Sequence, residues 1–468
     1  MLARYGGVPD RYTEKWRPRF HFSPPEGWIN DPNGLVYYDG EYHLFHQHRH
    51  PLLPDGMNWG HAVSADLVHW EHLPVALTVD ELGQIFSGSA VVDHDNTTGF
   101  FEGGSGLVAI FTHHGEVEQQ SIAFSRDRGR TWTTYKGNPV IPNVGDKDFR
   151  DPKVFWHHPT GRWIMVVAGG KVRFYSSANL RDWTFESINE DIETECPDFF
   201  ELPVDGDPGN TRWVLNRAGR SYMIGKFDGR VFMPETEAIP LNGGPDFYAA
   251  QTFNDIPAQD GRRIMINWMA SWAYAGNVPT KSWQGAMTLP YELRLRTFPE
   301  GMRLVQTPVE ELKSLRGAGQ RWEDVTVSPG TNPLAGVSGT TLEIVVEFEL
   351  GTASAFGLKV RKGDSRQTTV GYDVAAGELF VDRTAAGDAG IDGFGQVFAA
   401  PLPPEDDRVK MHVFVDACSV EVFGNDGRAV ITALIFPEPE SNAVELYAEG
   451  GEVRVNSLEV YELSSIWK

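Results

Sequence analysis

Three carboxylates stand in similar and unusual company. Asp31 lies in "WINDPNGLVYY", Asp151 in "KDFRDPKVF" and Glu195 in "ETECPDFFEL"; each is followed within two residues by proline and then by an apolar run that reads as a strand. Asn, Pro and Gly fix backbone dihedrals, so the sequence predicts Asp31 at the tip of a tight turn where a strand begins. Taken singly, each acid suits a turn cap or a salt bridge as well as catalysis, because Asx side chains bond their own turns. Three of them in one kind of setting point to carboxylates gathered for nucleophilic or acid–base work. Gathering them is a task for the fold.

Three stretches repeat one design: "WGHAVSADLVHW" (59–70), "QSIAFSRDRGRTW" (120–132) and "VRFYSSANLRDW" (172–183), with a degenerate fourth in "MIGKFDGRVF" (223–232). Each reads as an alternating strand, a Ser and polar turn, then an aromatic residue opening the next strand. The landmarks Trp70, Trp132, Trp183 and Phe232 are 62, 51 and 49 residues apart. Periods of this size with short strands predict four-stranded blades arranged radially, a β-propeller, and five blades fit the first 306 residues. A propeller brings one inner strand per blade to a common axial funnel, so acids remote in sequence converge there.

The pattern changes at "TPVEELKSLRG" (307–317), where Val309, Leu312 and Leu315 recur every three residues and predict a short linker helix over 307–319. Beyond it, "TTLEIVVEFEL", "KMHVFVDACSVEVF" and "AVELYAEGGEVRV" alternate with period two, and Asp426-Gly427 is a hairpin signal. Residues 320–468 therefore read as a β-sandwich with "VSPGTNPLAG" as an internal loop. The expected fold class is all-β: a five-bladed β-propeller followed by a C-terminal β-sandwich.

The 468 residues carry 41 Lys plus Arg against 64 Asp plus Glu, a net charge of −23. That sign excludes a phosphate-binding surface, so neither nucleic acid nor an anionic membrane is an expected partner. Two distant cysteines, Cys196 and Cys418, suggest neither a disulfide framework nor a zinc ribbon. Cys196 reads as a packed thiol, since no histidine partner accompanies it at catalytic spacing. The N-terminal stretch lacks a secretory h-region and no apolar run reaches membrane-spanning length, so the expectation is a cytoplasmic protein; a secreted chain trimmed of its signal would read alike. The oligomeric state is left open.

"WINDPNG", "FRDP" and "ECPD", in this order and spacing, with "WGHAVS", "FSGSAVVD" and "DFYAAQTF" among them, resemble glycoside hydrolase family 32, the β-fructosidases that include invertases, levanases and inulinases. The likeness runs from "RPRFHFSP" to "SVEVFGNDGRAVITALIF" and is nearest to bacterial levanase-type members. It implies a retaining β-fructofuranosidase acting on sucrose, fructo-oligosaccharides or fructans, with no cofactor and no metal. Asp31 would be the nucleophile and Glu195 the acid/base, with their carboxyl groups about 5–5.5 Å apart as retention requires. Asp151 would hold fructose hydroxyls, with Arg150 beside it favouring ionised carboxylates. By motif position Asn30 and Gln47 would bond sugar hydroxyls, and Trp59, Phe86, Ser87 and Trp272 would wall the fructose pocket; blade packing is the competing reading for each aromatic. His43, His46, His48 and His50 crowd one strand, yet this chemistry needs no metal and a mixed aromatic and histidine rim suits sugar.

The chain departs from the family pattern in several places, and the segments around Glu195 and after "RWVLN" are short by comparison. "HQHRHPLLPDGMNWGHA" lacks a tryptophan that relatives carry near position 55, here Asp55, and "TLPYEL" puts Pro290, Tyr291 and Glu292 where Pro-Arg-Glu is usual. Two other readings use the same residues: a fructosyltransferase or oligosaccharide-releasing enzyme, and a sugar-binding module without catalysis.

Overall fold

The computed structural model describes residues 12–143, 145–387 and 389–467. Blade 1 is built from Gly27–Tyr38, Glu41–Arg49, Asn58–Ser64 and Glu71–Leu77, and blade 2 from Gln84–Asp93, Gly106–His114, Glu118–Ser125 and Thr133–Thr134. Blade 3 comprises Lys153–His157, Arg162–Val167, Val172–Ser177 and Trp183–Asn189, and blade 4 Pro197–Val204, Asp207–Arg217, Ser221–Phe227 and Phe232–Pro234. Tyr248–Thr252, Arg263–Trp268, Tyr291–Phe298 and Gly301–Pro308 form blade 5. The first strand of each blade contacts the first strand of the next, and that of blade 5 contacts blade 1, which closes a five-membered ring. Closure is reinforced where Trp283–Gln284 pairs in parallel with Gly27 and Trp28.

The repeated motif marks the third strand of four blades. In each, the short polar side chain after the strand accepts from the backbone that turns toward the fourth strand. Asp66 accepts from Val68 and His69, Asp127 from Thr131, Asn179 from Arg181 and Asp182, and Asp228 from Arg230 and Val231. Serine precedes the acceptor by two in the first three, and Ser64 and Ser125 donate to Asp66 and Asp127 at 3.0 and 2.8 Å. Inner strands are cross-linked by buried polar side chains. Lys153 of blade 3 meets Asp198 of blade 4 at 2.8 Å and the Thr252 carbonyl of blade 5 at 2.6 Å. One lysine thus ties the inner strands of blades 3, 4 and 5 together.

The sandwich stacks a six-stranded sheet, with Arg316–Val327 at one edge and Ala429–Leu434 at the other, on a five-stranded sheet running from Val397–Pro401 to Ala443–Glu449. Alternate apolar residues of both sheets form its core, among them Ile344, Val346, Leu358, Val370, Val413 and Leu446. The expected linker helix is a six-residue 3₁₀ turn, Glu310–Leu315, and the first sandwich strand starts directly after it at Arg316. A spacing of three is the 3₁₀ period, so Val309, Leu312 and Leu315 are buried as expected but on a tighter coil. The Asp426-Gly427 hairpin joins Ser419–Gly424 to Ala429–Leu434. Its tip docks on the last propeller strand, with Gln306 N–H donating to the Gly427 carbonyl at 3.0 Å. A Cβ at Gly427 would fall 1.8 Å from the Gln306 carbonyl oxygen, so only glycine permits this approach.

A buried polar cluster joins the two units. His21, from the segment ahead of blade 1, lies 2.7 Å from Asp416 and 2.8 Å from Glu421 of the sandwich. Tyr291 donates to Glu421, which gives a structural role to the tyrosine that departs from the family pattern. Burial pushes the His21 pKa down, but bonds to the two carboxylates win and raise it to about 9. A histidine whose folded pKa exceeds its unfolded one stabilises fully below about pH 6.5, and that contribution fades as pH rises through 9. Thermal melting should therefore fall between pH 7 and 9.5, reflecting a contribution on the order of 2–3 kcal/mol. His21→Gln should melt lower at pH 7 and lose that slope; an unchanged slope would place the alkaline loss elsewhere.

Candidate active site

Asp31 lies inside the first strand of blade 1 rather than at a turn ahead of it. The turn formers act instead as a double bulge, with pairing to Glu41–Arg49 slipping between Ile29 and Pro32 and again between Asn33 and Val36. Proline is tolerated in an inner strand only at such interruptions, and bulges re-aim side chains. At Gly34, φ is +54° and a Cβ would sit 2.5 Å from the Phe45 ring. Asp151 and Glu195 do precede their strands, Lys153–His157 and Pro197–Val204, as expected.

The bulge turns Asp31 into a cage of donors. Asn30 Nδ2 donates to Oδ1 at 3.0 Å, while Ser87 Oγ from blade 2 donates to Oδ2 at 2.6 Å. The Cys196 thiol, from the entry to blade 4, donates to the same Oδ2 at 3.4 Å. That thiol also lies 3.4 Å from Asp151 Oδ2, which accepts from the Cys196 backbone N–H at 2.9 Å. One sulfur thus lies between two carboxylates. Burial and the negative charges of Asp151 and Asp31 push the thiol's pKa up, so it remains a donor and is no nucleophile.

Glu195 faces different neighbours. Arg150 Nη2 reaches its Oε1 at 2.5 Å, and the Tyr248 phenol donates to Oε2. Arg150 also meets Asp148 at 2.8 Å and Glu118 at 3.1 Å, and stands 3.9 Å from Asp151. A cleft of about 400 Å³ opens beside Glu195, lined by Asp148, Arg150, Glu193, Arg217, Arg220 and Tyr248. The two environments push the acids apart. Burial, then the charge of Asp31, raises Asp151 to about 7 against the pull of Arg150. Partial burial pushes Glu195 up too, but Tyr248 and Arg150 outweigh it and hold this carboxyl below its ordinary range.

An aromatic rim leads to Asp31. Trp28 Nε1 donates to Asn30 Oδ1 at 2.9 Å, extending a chain of hydrogen bonds from Trp28 through Asn30 to Asp31. Trp272, half exposed, stacks on Trp28 with ring centroids 6.1 Å apart. Phe86, partly buried beside Ser87, stacks on His114 at 4.1 Å.

One expected contact needs correcting. Trp59 is 0% exposed and packs against Phe45 and Phe111, so it cannot wall a pocket. Its indole N–H holds the Phe86 carbonyl at 3.0 Å, an indirect support. Gln47 is buried and one N–H of its amide donates to the Ile85 carbonyl at 3.1 Å, which leaves its second N–H and its oxygen for a sugar hydroxyl. The histidines of the second strand are buried as well: His43 bonds His61 at 3.0 Å and His48 lies 2.9 Å from the Trp28 carbonyl, so they line no rim. Trp28 and Tyr248 were not singled out from sequence, although "WINDPNG" and "DFYAAQTF" contain them. Arg217 ends the second strand of blade 4, Arg220 follows it in the turn, and neither carries a motif.

Residues 21–308 match the model of the glycosyl hydrolases family 32 N-terminal domain, and residues 311–462 match the family's C-terminal model. The chain belongs to glycoside hydrolase family 32. A levanase from Bacillus subtilis is 50% identical over 97% of this chain and 72% of its own length. Extracellular exo-inulinase of Aspergillus niger is 37% identical over 97% of this chain and 96% of its own. Among solved structures, exo-inulinase from Aspergillus awamori superposes with a TM-score of 0.88 at 36% identity, covering 97% of this chain and all of that one. A β-fructofuranosidase from Schwanniomyces occidentalis complexed with fructosyl-erythritol gives 0.84 at 28% identity, covering 97% and 99%. As a family 32 member the chain is a glycoside hydrolase with the expected propeller-and-sandwich fold.

Because Asp151 carries a folded pKa of about 7, above its unfolded value near 3.8, the folded state binds the extra proton between those limits and stability falls as pH rises across them. Asp151→Asn removes that burden, and asparagine tolerates the left-handed backbone at this position, φ +63°. The variant should melt roughly 2–4 °C above the parent at pH 8 and equal it near pH 4, while losing most turnover. Equal melting at both pH values would mean that the carboxyl is not shielded as described.

Proposed function

We propose that this glycoside hydrolase is a retaining β-fructofuranosidase releasing terminal fructosyl units from fructans, fructo-oligosaccharides or sucrose. Asp31 acts as nucleophile, Glu195 as acid/base and Asp151 as the group that holds fructose hydroxyls. The observation that carries the reading is the convergence of three carboxylates from blades 1, 3 and 4 into two contrasting environments, one caged by donors and one open to a cleft. The levanase, exo-inulinase and fructofuranosidase names of the similar proteins support this substrate class.

The geometry suits a two-step displacement. Asn30, Ser87 and Cys196 fix Asp31 before reaction, so little reorganisation is needed when it attacks the anomeric carbon. In the resting site Glu195 is ionised against Arg150. A leaving sugar that fills the cleft displaces water, and desolvation favours the neutral carboxyl. Glu195 takes up a proton from solvent as the sugar binds, gives it to the departing oxygen and, as carboxylate again, deprotonates the water that releases fructose. The Trp28 and Trp272 stack offers an apolar face to the ring.

Reducing-sugar release from sucrose, inulin and levan tests the assignment and separates hydrolysis from transfer through the product profile. Asp31→Asn should fold normally and lose turnover, because an amide cannot form the fructosyl ester; residual activity above a few per cent would remove the nucleophile assignment. Glu195→Ala should lose roughly 10²–10⁴-fold on natural substrates but much less on the first step with aryl fructosides. Azide should rescue it as a β-fructosyl azide of retained configuration. Equal loss on both substrate types without rescue would make Glu195 structural.

A further inference from the structure

Arg383 belongs to the sandwich, one residue past Glu378–Asp382, and is 2% exposed. Its guanidinium is fully engaged. Nη1 meets Asp246 Oδ2 at 3.0 Å and the Leu434 carbonyl at 2.9 Å, Nη2 meets the Tyr274 hydroxyl at 3.2 Å, and Nε donates to the Phe394 carbonyl at 2.7 Å. The Phe394 ring lies 3.7 Å from the guanidinium carbon and Phe398 lies 4.8 Å away. Asp246 and Tyr274 are propeller residues. Asp246 is fully buried and accepts from three donors in all: Arg383, the Leu434 N–H at 2.8 Å and the Tyr274 phenol.

Both propeller partners sit two residues from the candidate site. Tyr248, which donates to Glu195, follows Asp246 by two; Trp272, which stacks on Trp28, precedes Tyr274 by two. The chain is pinned on both sides of Tyr248. Phe247 stacks on Tyr291, and Ala249, in a left-handed backbone with φ +54°, donates to the Ala218 carbonyl at 2.8 Å. A displacement at Asp246 therefore passes to the Tyr248 ring.

We infer that Arg383 is a positioning residue for the acid/base, set by the sandwich and acting through Asp246 and Tyr248 on Glu195. The inference rests on the reading of Glu195 as acid/base. Among the described residues two groups donate to the Glu195 carboxyl, Tyr248 and Arg150, while Arg220 faces it from the turn between the second and third strands of blade 4 and the charge of Asp151 acts on it as well. Arg220 lies 4.8 Å over the Tyr248 ring. Losing the phenol removes one of the bonds that favour the ionised carboxyl. The Glu195 proton is then held more tightly.

The test is a mutant cycle on the full chain, reading the pH profile of kcat/KM for sucrose, kcat and KM separately, and thermal melting. Tyr248→Phe should move the Glu195 limb upward by roughly half a pH unit or more and lower kcat with little change in KM. Arg383→Met should do the same and also melt lower, since it leaves Asp246 buried without its cation. In the Tyr248→Phe background, Arg383→Met should add no further limb shift and no further kcat loss, while its melting loss persists; a bracing role alone would leave the limb in place. Arg383→Lys keeps the charge but cannot span Asp246, Tyr274 and two carbonyls at once, so it should give a smaller shift of the same kind and serves if the methionine variant fails to fold. Multiplying kcat losses in the double variant, or an unmoved limb in every folded Arg383 variant while Tyr248→Phe shifts it, would overturn the inference alone. An unmoved limb in Tyr248→Phe itself would also overturn the inference, whereas the Glu195 reading falls only if Glu195→Ala shows no azide rescue.

Discussion

Two carboxylates, Asp31 and Asp151, share a single donor, the Cys196 thiol, in a place nearly closed to water. Like charges so close resist joint ionisation, and most features of the site follow from managing that repulsion. Asp31 takes its donors from blades 1 and 2, and Asp151 receives the Cys196 N–H and stands near Arg150. The unfavourable charge is concentrated on Asp151, which is pushed up to about 7. The site is held in a state the isolated side chains would not choose, so the scaffold must be stiff.

Stiffness comes from the ring and from what clasps it. Inner strands bond across blades through Lys153, Asn254 and Asn33: Asn254 reaches the Ala90 and Val154 carbonyls at 2.8 and 2.9 Å, and Asn33 accepts from Gly88 N–H at 3.1 Å. The sandwich clasps blade 5 and the segment ahead of blade 1 at three polar points: the His21 cluster, the Gly427 hairpin tip and the Arg383 fork. All three are buried. Breaking one member of such a network costs more than the intact pair contributes, because its partner is left desolvated. The sandwich thereby becomes part of the site's geometry without touching substrate.

The blade repeat was legible because an Asp or Asn that caps a turn and an aromatic residue beside it must recur wherever the third strand hands over to the fourth. The three acids were legible because proline and glycine beside them constrain the backbone visibly. What stayed hidden were effects of pairing in three dimensions. Trp59 reads as a pocket wall by its motif, but its ring points into the space between blades 1 and 2 and only its N–H serves the site. The predicted turn at Asp31 became a bulge because the neighbouring strand Glu41–Arg49 continues past it and keeps the bulged segment in the sheet. Arg383 and Asp246 lie 137 residues apart, in different domains, and announce themselves by no spacing at all.

Backbone strain follows the same map. Asp151, Cys196 and Ala249 all adopt positive φ, at +63°, +39° and +54°, though none is glycine. Such conformations persist where surroundings over-determine them and cluster at functional sites. Here the over-determination is visible: Asp151 N–H is held by Thr112 at 3.1 Å, Cys196 N–H by Asp151, and Ala249 N–H by the Ala218 carbonyl. Each kink lies at or next to the start of an inner strand, where the chain enters the sheet from the funnel mouth. Asp151 and Tyr248 are thereby aimed by a kinked backbone, as Glu195 is by the kink at Cys196, and Asp31 by a bulge. An unkinked strand start would send these side chains along the blade, so the bends are the local means by which a ring of ordinary sheets presents carboxylates toward one point.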